Sequence, residues 1–221
     1  AFKSYQEIMT DVMSLPSAFT LDNIKNVFHD MKYPATFLNT LIATVIGTLG
    51  IIVIASMGGY KMARVKTRYS RFCFLFCIAP MMIPFQSFML TLVNVATTLH
   101  INGKIWGLAI IYWGLGAPMS IFLYQGFAKG IPLELEESAL IDGCNQFQLF
   151  TRIIFPMLKS CTATVTIINV MWIWNDFLLP LLMLGGRKSS KTLQLAAYSF
   201  MGQYKMEWQN IMSAAILIII P

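Results

Sequence analysis

The sequence predicts an all-α fold, a polytopic transmembrane helical bundle in a single domain spanning 1–221. Three observations carry that expectation. Only 12% of residues are charged, against about 25% in a soluble domain. The mean hydropathy is +0.64. Uncharged apolar runs such as Phe37 to Tyr60 and Phe72 to Gly103 exceed the roughly 20 residues that a helix needs to cross a bilayer.

Five spans or parts of spans are expected at about 37–60, 72–99, 105–128, 160–184 and 211–221. Pro80 and Pro84 fall within the second. They should kink or unwind it, which a membrane tolerates where the break faces protein or a cavity. Small residues at Gly47 and Gly58-Gly59 point to helix packing. Residues 1–36 are mixed in polarity and are interrupted by Pro16 and Pro34. The chain starts at Ala1, and its final apolar run, from about Ile211, is too short to cross alone. Further sequence is therefore expected beyond both ends.

Charge sets the orientation. Lys61, Arg64, Lys66, Arg68 and Arg71 crowd one short loop, and short basic loops beside spans stay cytoplasmic. By parity the loop 129–159 shares that side. The segments 1–36, 100–104 and 185–210 take the other. The net charge of +6 interleaves with apolar spans and forms no stripe, so membrane lipid explains it and nucleic acid does not.

Little here suggests chemistry. The four cysteines, Cys73, Cys77, Cys144 and Cys161, lie without clustered His or Cys, so no metal site is expected. No G-x-x-x-x-G-K-[ST] loop is present; Gly185-Gly186-Arg187-Lys188-Ser189 has the wrong spacing. No Ser-His-Asp set is visible, and His29 and His100 fall in external segments. Asp176 is the one acid within a span. It could line a pathway. The favoured reading is a structural acid at the external membrane edge, hydrogen-bonded to Asn175 or Trp174. Trp172, Trp174 and Tyr198 could stack on sugar rings, although an interfacial aromatic belt explains them more simply.

The informative segment is 129–159. Pro132 suits the first position of a helix, and Glu134, Glu136 and Glu137 suit its first turns, near the positive end of the dipole. Ser138 and Ala139 are small enough for close approach by another surface. Asp142-Gly143 should end the helix through a left-handed glycine. Asn145 should cap a second helix, with Phe147, Phe150, Ile153 and Ile154 as its apolar face. Pro156 should mark its bend into the next span.

This constellation resembles the EAA loop of ABC-importer permeases. Glu137, Ser138, Ala139 and Gly143 match its first part, and Ile153, Phe155 and Pro156 match its Ile-x-Leu-Pro tail. Ser138 and Phe155 depart mildly from the pattern. The likeness extends from about Phe2 to Pro221. It includes Phe19-Thr20-Leu21-Asp22-Asn23, Trp174-Asn175-Asp176-Phe177-Leu178 with Pro180, and Gly202-Gln203-Tyr204 with Trp208. It is to the smaller permease subunit of the carbohydrate, maltose-type group.

That resemblance implies a type I importer fold with a cytoplasmic coupling helix, in a bacterial inner membrane. It implies a first span missing here and a sixth mostly missing. The implied partners are a second permease, an ABC ATPase dimer that holds ATP and Mg, and an extracellular solute-binding protein that delivers a sugar to outside loops including 185–210. Glu137, Ser138, Ala139, Asp142, Gly143, Ile153 and Pro156 would form the ATPase contact. Trp172, Asn175 and Asp176 would border the substrate pathway. Other solutes, such as polyamines, phosphate, metal complexes or peptides, fit the EAA loop equally. A channel or secondary transporter should carry several buried acids, and a membrane enzyme should carry clustered His, Asp or Glu.

Overall fold

The structure is a computed structural model that describes residues 1–3, 7, 14, 19–185, 190–201 and 208–221. The expectations that fall on Pro16, on 186–189 and on Gly202-Gln203-Tyr204 lie outside the described residues. Every described element is helical. In order they are α1 (Asp22–Asp30), α2 (Tyr33–Arg64), α3 (Arg68–Ile78), α4 (Phe85–Thr98), α5 (Ile105–Lys129), α6 (Leu133–Ile141), α7 (Gln146–Met157), α8 (Lys159–Asn175), α9 (Leu178–Leu184), α10 (Leu193–Ala197) and α11 (Trp208–Ile219).

Helices α2 and α5 are each long and apolar enough to cross a bilayer. They pack along each other as the spine of the bundle. Close approach depends on Gly59, where an added Cβ would lie 2.7 Å from Tyr124 Cβ and 2.9 Å from the Gln125 backbone nitrogen. Its neighbour Gly58 has only Ile121 within reach, at 4.0 Å. The packing role expected of the Gly58-Gly59 pair thus belongs to one glycine. Around this spine Ile51, Ala55, Tyr112, Ile121, Tyr124, Val165 and Ile173 form the main core.

The run expected to span at 72–99 is broken. A 3-10 turn at Ala79–Met82 follows α3, and α4 leaves at 107° to that segment. Both prolines lie at the break: Pro80 within the turn and Pro84 as the extended residue before α4. A proline has no amide hydrogen to continue the ladder; at Pro80 and Pro84 the chain turns, whereas Pro118 is carried within α5. The run expected at 160–184 also divides. Helix α8 stops at Asn175, Asp176 is extended, and α9 restarts at Leu178. Helices α7 and α8 meet at 74°, just past Pro156.

Long-range contacts fix the two ends. The C-terminus of α2 meets α6 through Arg64 and Glu136. At the opposite end the Asn39 side chain donates to the Lys191 carbonyl at 3.0 Å, the Leu193 amide donates to Thr40 Oγ1 at 2.9 Å, and the Gly103 amide donates to the Met183 carbonyl at 2.9 Å. Tyr33 OH reaches the Leu217 carbonyl. A second small core of Val27, Met31, Leu193, Ala196, Ala214 and Ile218 closes that end. The basic loop and the α6–α7 hairpin therefore share one end, and the 100–104 turn and residues 190–193 share the other, as the parity argument requires.

Candidate coupling hairpin and pathway

The hairpin is built mostly from local hydrogen bonds. Pro132 precedes α6 with extended ψ and is not its first helical residue; the expected helix start moves one residue on. Glu134 and Glu136 occupy the first turn. At the far end Gly143 has φ +86°. Its amide donates to the Leu140 carbonyl at 3.1 Å and the Cys144 amide donates to the Ala139 carbonyl at 3.0 Å, a complete Schellman closure. Asn145 then starts α7 with a reciprocal box: its side chain accepts from the Gln148 amide at 2.8 Å, and its own amide donates to Gln148 Oε1 at 3.0 Å. Two helix ends satisfied within six residues leave the turn little freedom.

Helix α7 widens into a π turn over Phe150–Ile154. Pro156 cannot donate to the Arg152 carbonyl four residues earlier. Single π turns of this kind cluster at functional sites. The inward side of α7 is formed by Leu149 and Ile154, both buried, with Phe150 and Ile153 packed against the core. Phe147, expected on that apolar face, points outward and is 68% exposed.

The hairpin is tied to the bundle by a glutamate that the motif does not single out. Glu136 is 8% exposed. Its Oε1 accepts from Arg64 Nε, and its Oε2 accepts from Tyr60 OH at 2.9 Å. The Arg64 guanidinium also donates to the Ile131 carbonyl at 2.8 Å. Glu137 and Ser138 face outward. Ala139, at 5% exposed, joins the chain's own core, so its small size serves the seat of α6 on the bundle. Asp142 and Gly143 stand exposed at the tip, with Pro156 on the outer side of α7. Ile141 is 85% exposed, and Leu140 and Phe147 of the same hairpin are exposed too. Sequence reading missed Ile141; the signal was a large aliphatic residue directly before Asp142-Gly143.

The three pathway candidates, Trp172, Asn175 and Asp176, each have different partners. Asp176 accepts from Tyr112 OH at 2.8 Å through Oδ2 and from the Leu178 amide at 3.1 Å through Oδ1. It holds the α8–α9 break to α5. The expected partners Asn175 and Trp174 are replaced: Asn175 donates to the Met171 carbonyl at 2.8 Å, and the Trp174 ring packs edge-on against Phe37. Trp172 meets Tyr112 edge-on at 5.4 Å. It borders a recess of about 170 Å³ with Gly116, Met119, Ser120 and Asn169. Asn169 is buried and donates to Ser120 Oγ at 3.2 Å and to the Val165 carbonyl at 2.8 Å.

Apolar helices around a packed spine, with a doubly capped hairpin clamped to one end, define a helical bundle of the membrane-protein class. The chain belongs to the family described as the binding-protein-dependent transport system inner membrane component, which matches residues 50–221. It is a transmembrane permease subunit of an ABC importer. It is 39% identical over its whole length to the probable starch degradation products transport system permease protein AmyC of Thermoanaerobacterium thermosulfurigenes, covering 80% of that protein. It is 36% identical to the multiple sugar-binding transport system permease protein MsmG of Streptococcus mutans, over 92% of this chain and 74% of the relative. Melibiose/raffinose/stachyose import permease protein MelC of Bacillus subtilis is 30% identical over 93% of the chain and 75% of that protein. In fold the chain resembles a bacterial ABC transporter involved in alginate import, with TM-score 0.80, 19% identity, and coverage of 98% of this chain and 81% of that one.

Proposed function

We propose that this subunit carries a sugar or oligosaccharide across a bacterial inner membrane, and that the hairpin 131–156 transmits the movement of a partner ATPase into the spans. The sugar assignment is supported by the names of three relatives at 30–39% identity. The coupling assignment is carried by one observation: the hairpin is capped at both sides of its turn, clamped by Glu136 to α2, and covered outward by exposed Ile141, Leu140 and Phe147. Exposed large apolar side chains on a doubly capped hairpin suit a protein contact. A push on it passes directly into α2 through Arg64.

In this reading ATP and Mg are bound by the partner ATPase dimer. A second permease completes the translocation path, and an extracellular solute-binding protein delivers the sugar. Glu137, Ser138, Asp142 and Gly143 border the docking face, while Ala139, Ile153 and Pro156 shape the hairpin beneath it. Trp172 and Asn169 border the pathway recess, and Asp176 holds α8 and α9 in place.

The test is co-purification of the ATPase with an Ile141→Asp variant, with radiolabelled sugar uptake measured in parallel. Loss of the ATPase from an inserted, stable permease is expected, with loss of uptake. An intact complex with normal uptake sinks the docking assignment. Ligand screening of the co-purified binding protein then tests the solute class, and a binding protein that ignores sugars overturns that part alone.

A further inference from the structure

We propose that the basic cleft between the α2–α3 loop and the start of α6 holds the phosphate headgroup of an anionic membrane phospholipid. The cleft measures about 1020 Å³ and is lined by Arg64, Lys66, Arg68, Arg71 and Lys129, with Glu134 as its one acid. That volume lies at the upper end of the range that drug-sized ligands occupy, about 300–1,000 Å³. Arg64 is committed to Glu136. The other four cations have no ion-pair partner among the described residues. Four unpaired cations facing one concavity call for an anion, and arginines match phosphate oxygens in a two-pronged geometry.

The order of residues along α3 selects a lipid over a soluble anion. Arg68 is followed at helical spacing by Phe72 and Phe76, and Arg71 by Leu75. All three apolar side chains are exposed, and Phe72 and Phe76 stack at 6.2 Å. One helix face thus passes from cationic to apolar within two turns. That is the order in which a phospholipid presents its headgroup and its chains, and basic pockets at span ends capture anionic headgroups in this way. The cleft also reaches Ile131, Pro132 and Leu133, so a bound headgroup would brace the root of α6. The inference rests on the membrane reading alone and is independent of which solute is carried.

The test uses the purified importer complex in detergent, supplemented with equimolar phosphatidylglycerol and phosphatidylcholine, with retained lipid counted by native mass spectrometry. The wild type should retain phosphatidylglycerol selectively. A triple Arg68→Gln, Arg71→Gln, Lys129→Gln variant should bind it more weakly, on the order of fivefold for each charge removed. The charge-keeping triple Arg68→Lys, Arg71→Lys, Lys129→Arg should retain it, which separates charge from folding. Equal retention by wild type and Gln variant overturns the proposal. Displacement of the lipid by excess inorganic phosphate would reassign the cleft to a soluble anion. A Gln variant that keeps its lipid but loses a partner subunit would make the cleft a protein contact and overturn the lipid assignment.

Discussion

Glu136 on α6 and Arg64 on α2, 72 positions apart in sequence, form an ion pair that is closed on its other side by Tyr60 OH. Both charged side chains are mostly shielded from water. This pair, and not the motif glutamate Glu137, joins the hairpin to a spanning helix.

Removing one member leaves the other without its counter-ion in a shielded site, with only the Ile131 carbonyl for Arg64 or Tyr60 OH for Glu136. Glu136→Ala should therefore destabilise the subunit by about 2–3 kcal/mol and release α6 from α2. Uptake should fall while the ATPase of the complex continues. Arg64→Ala, Glu136→Ala together should recover part of the stability, as read by the thermal unfolding midpoint. Additive losses in the double variant would mean that the two side chains act independently.

Gly143→Ala isolates the backbone contribution at the turn. Nothing lies within 4 Å of an added Cβ, so crowding plays no part. The cost comes from the left-handed conformation alone, about 1–2 kcal/mol. We expect an inserted subunit with reduced coupling, measured as sugar transported per ATP hydrolysed. An unchanged ratio would remove Gly143 from the coupling role. A drop in ATPase recovery as large as that in uptake would point to lost docking.

The two adjacent glycines of α2 should differ sharply. Gly59→Val places atoms where Tyr124 and the Gln125 backbone stand and should abolish accumulation of folded protein, since overpacking costs roughly 1–3 kcal/mol or more. Gly58→Ala meets only an ordinary contact with Ile121, at 4.0 Å, and should accumulate normally. Membrane-fraction immunoblots of the two variants decide the matter, and comparable levels would contradict the packing at α2–α5.

Tyr112→Phe removes the side-chain donor to Asp176 and leaves its carboxyl group inside the bundle held by backbone amides of the α8–α9 break, Leu178 among them. A loss of about 1–3 kcal/mol is expected, with little change in apparent sugar affinity. A large affinity change at unaltered stability would return Asp176 to the pathway.

The hairpin was largely legible in the sequence because its determinants are local. The Gly143 closure and the Asn145–Gln148 box act over three to five residues, and Pro80 and Pro84 each remove an amide donor at the point where their helix breaks. The long apolar runs set the class for the same reason: a backbone in lipid must satisfy its own hydrogen bonds, and a helix does so within one segment. The tertiary structure decided what depends on helix crossing. It selected Glu136 over Glu137 as the shielded acid, turned Ala139 inward and Ile141 outward, gave Asp176 the side chain of Tyr112 instead of those of Asn175 or Trp174, and set Gly59, not Gly58, against Tyr124. Each of those choices depends on which face of one helix meets another across dozens of residues, and no local preference encodes it.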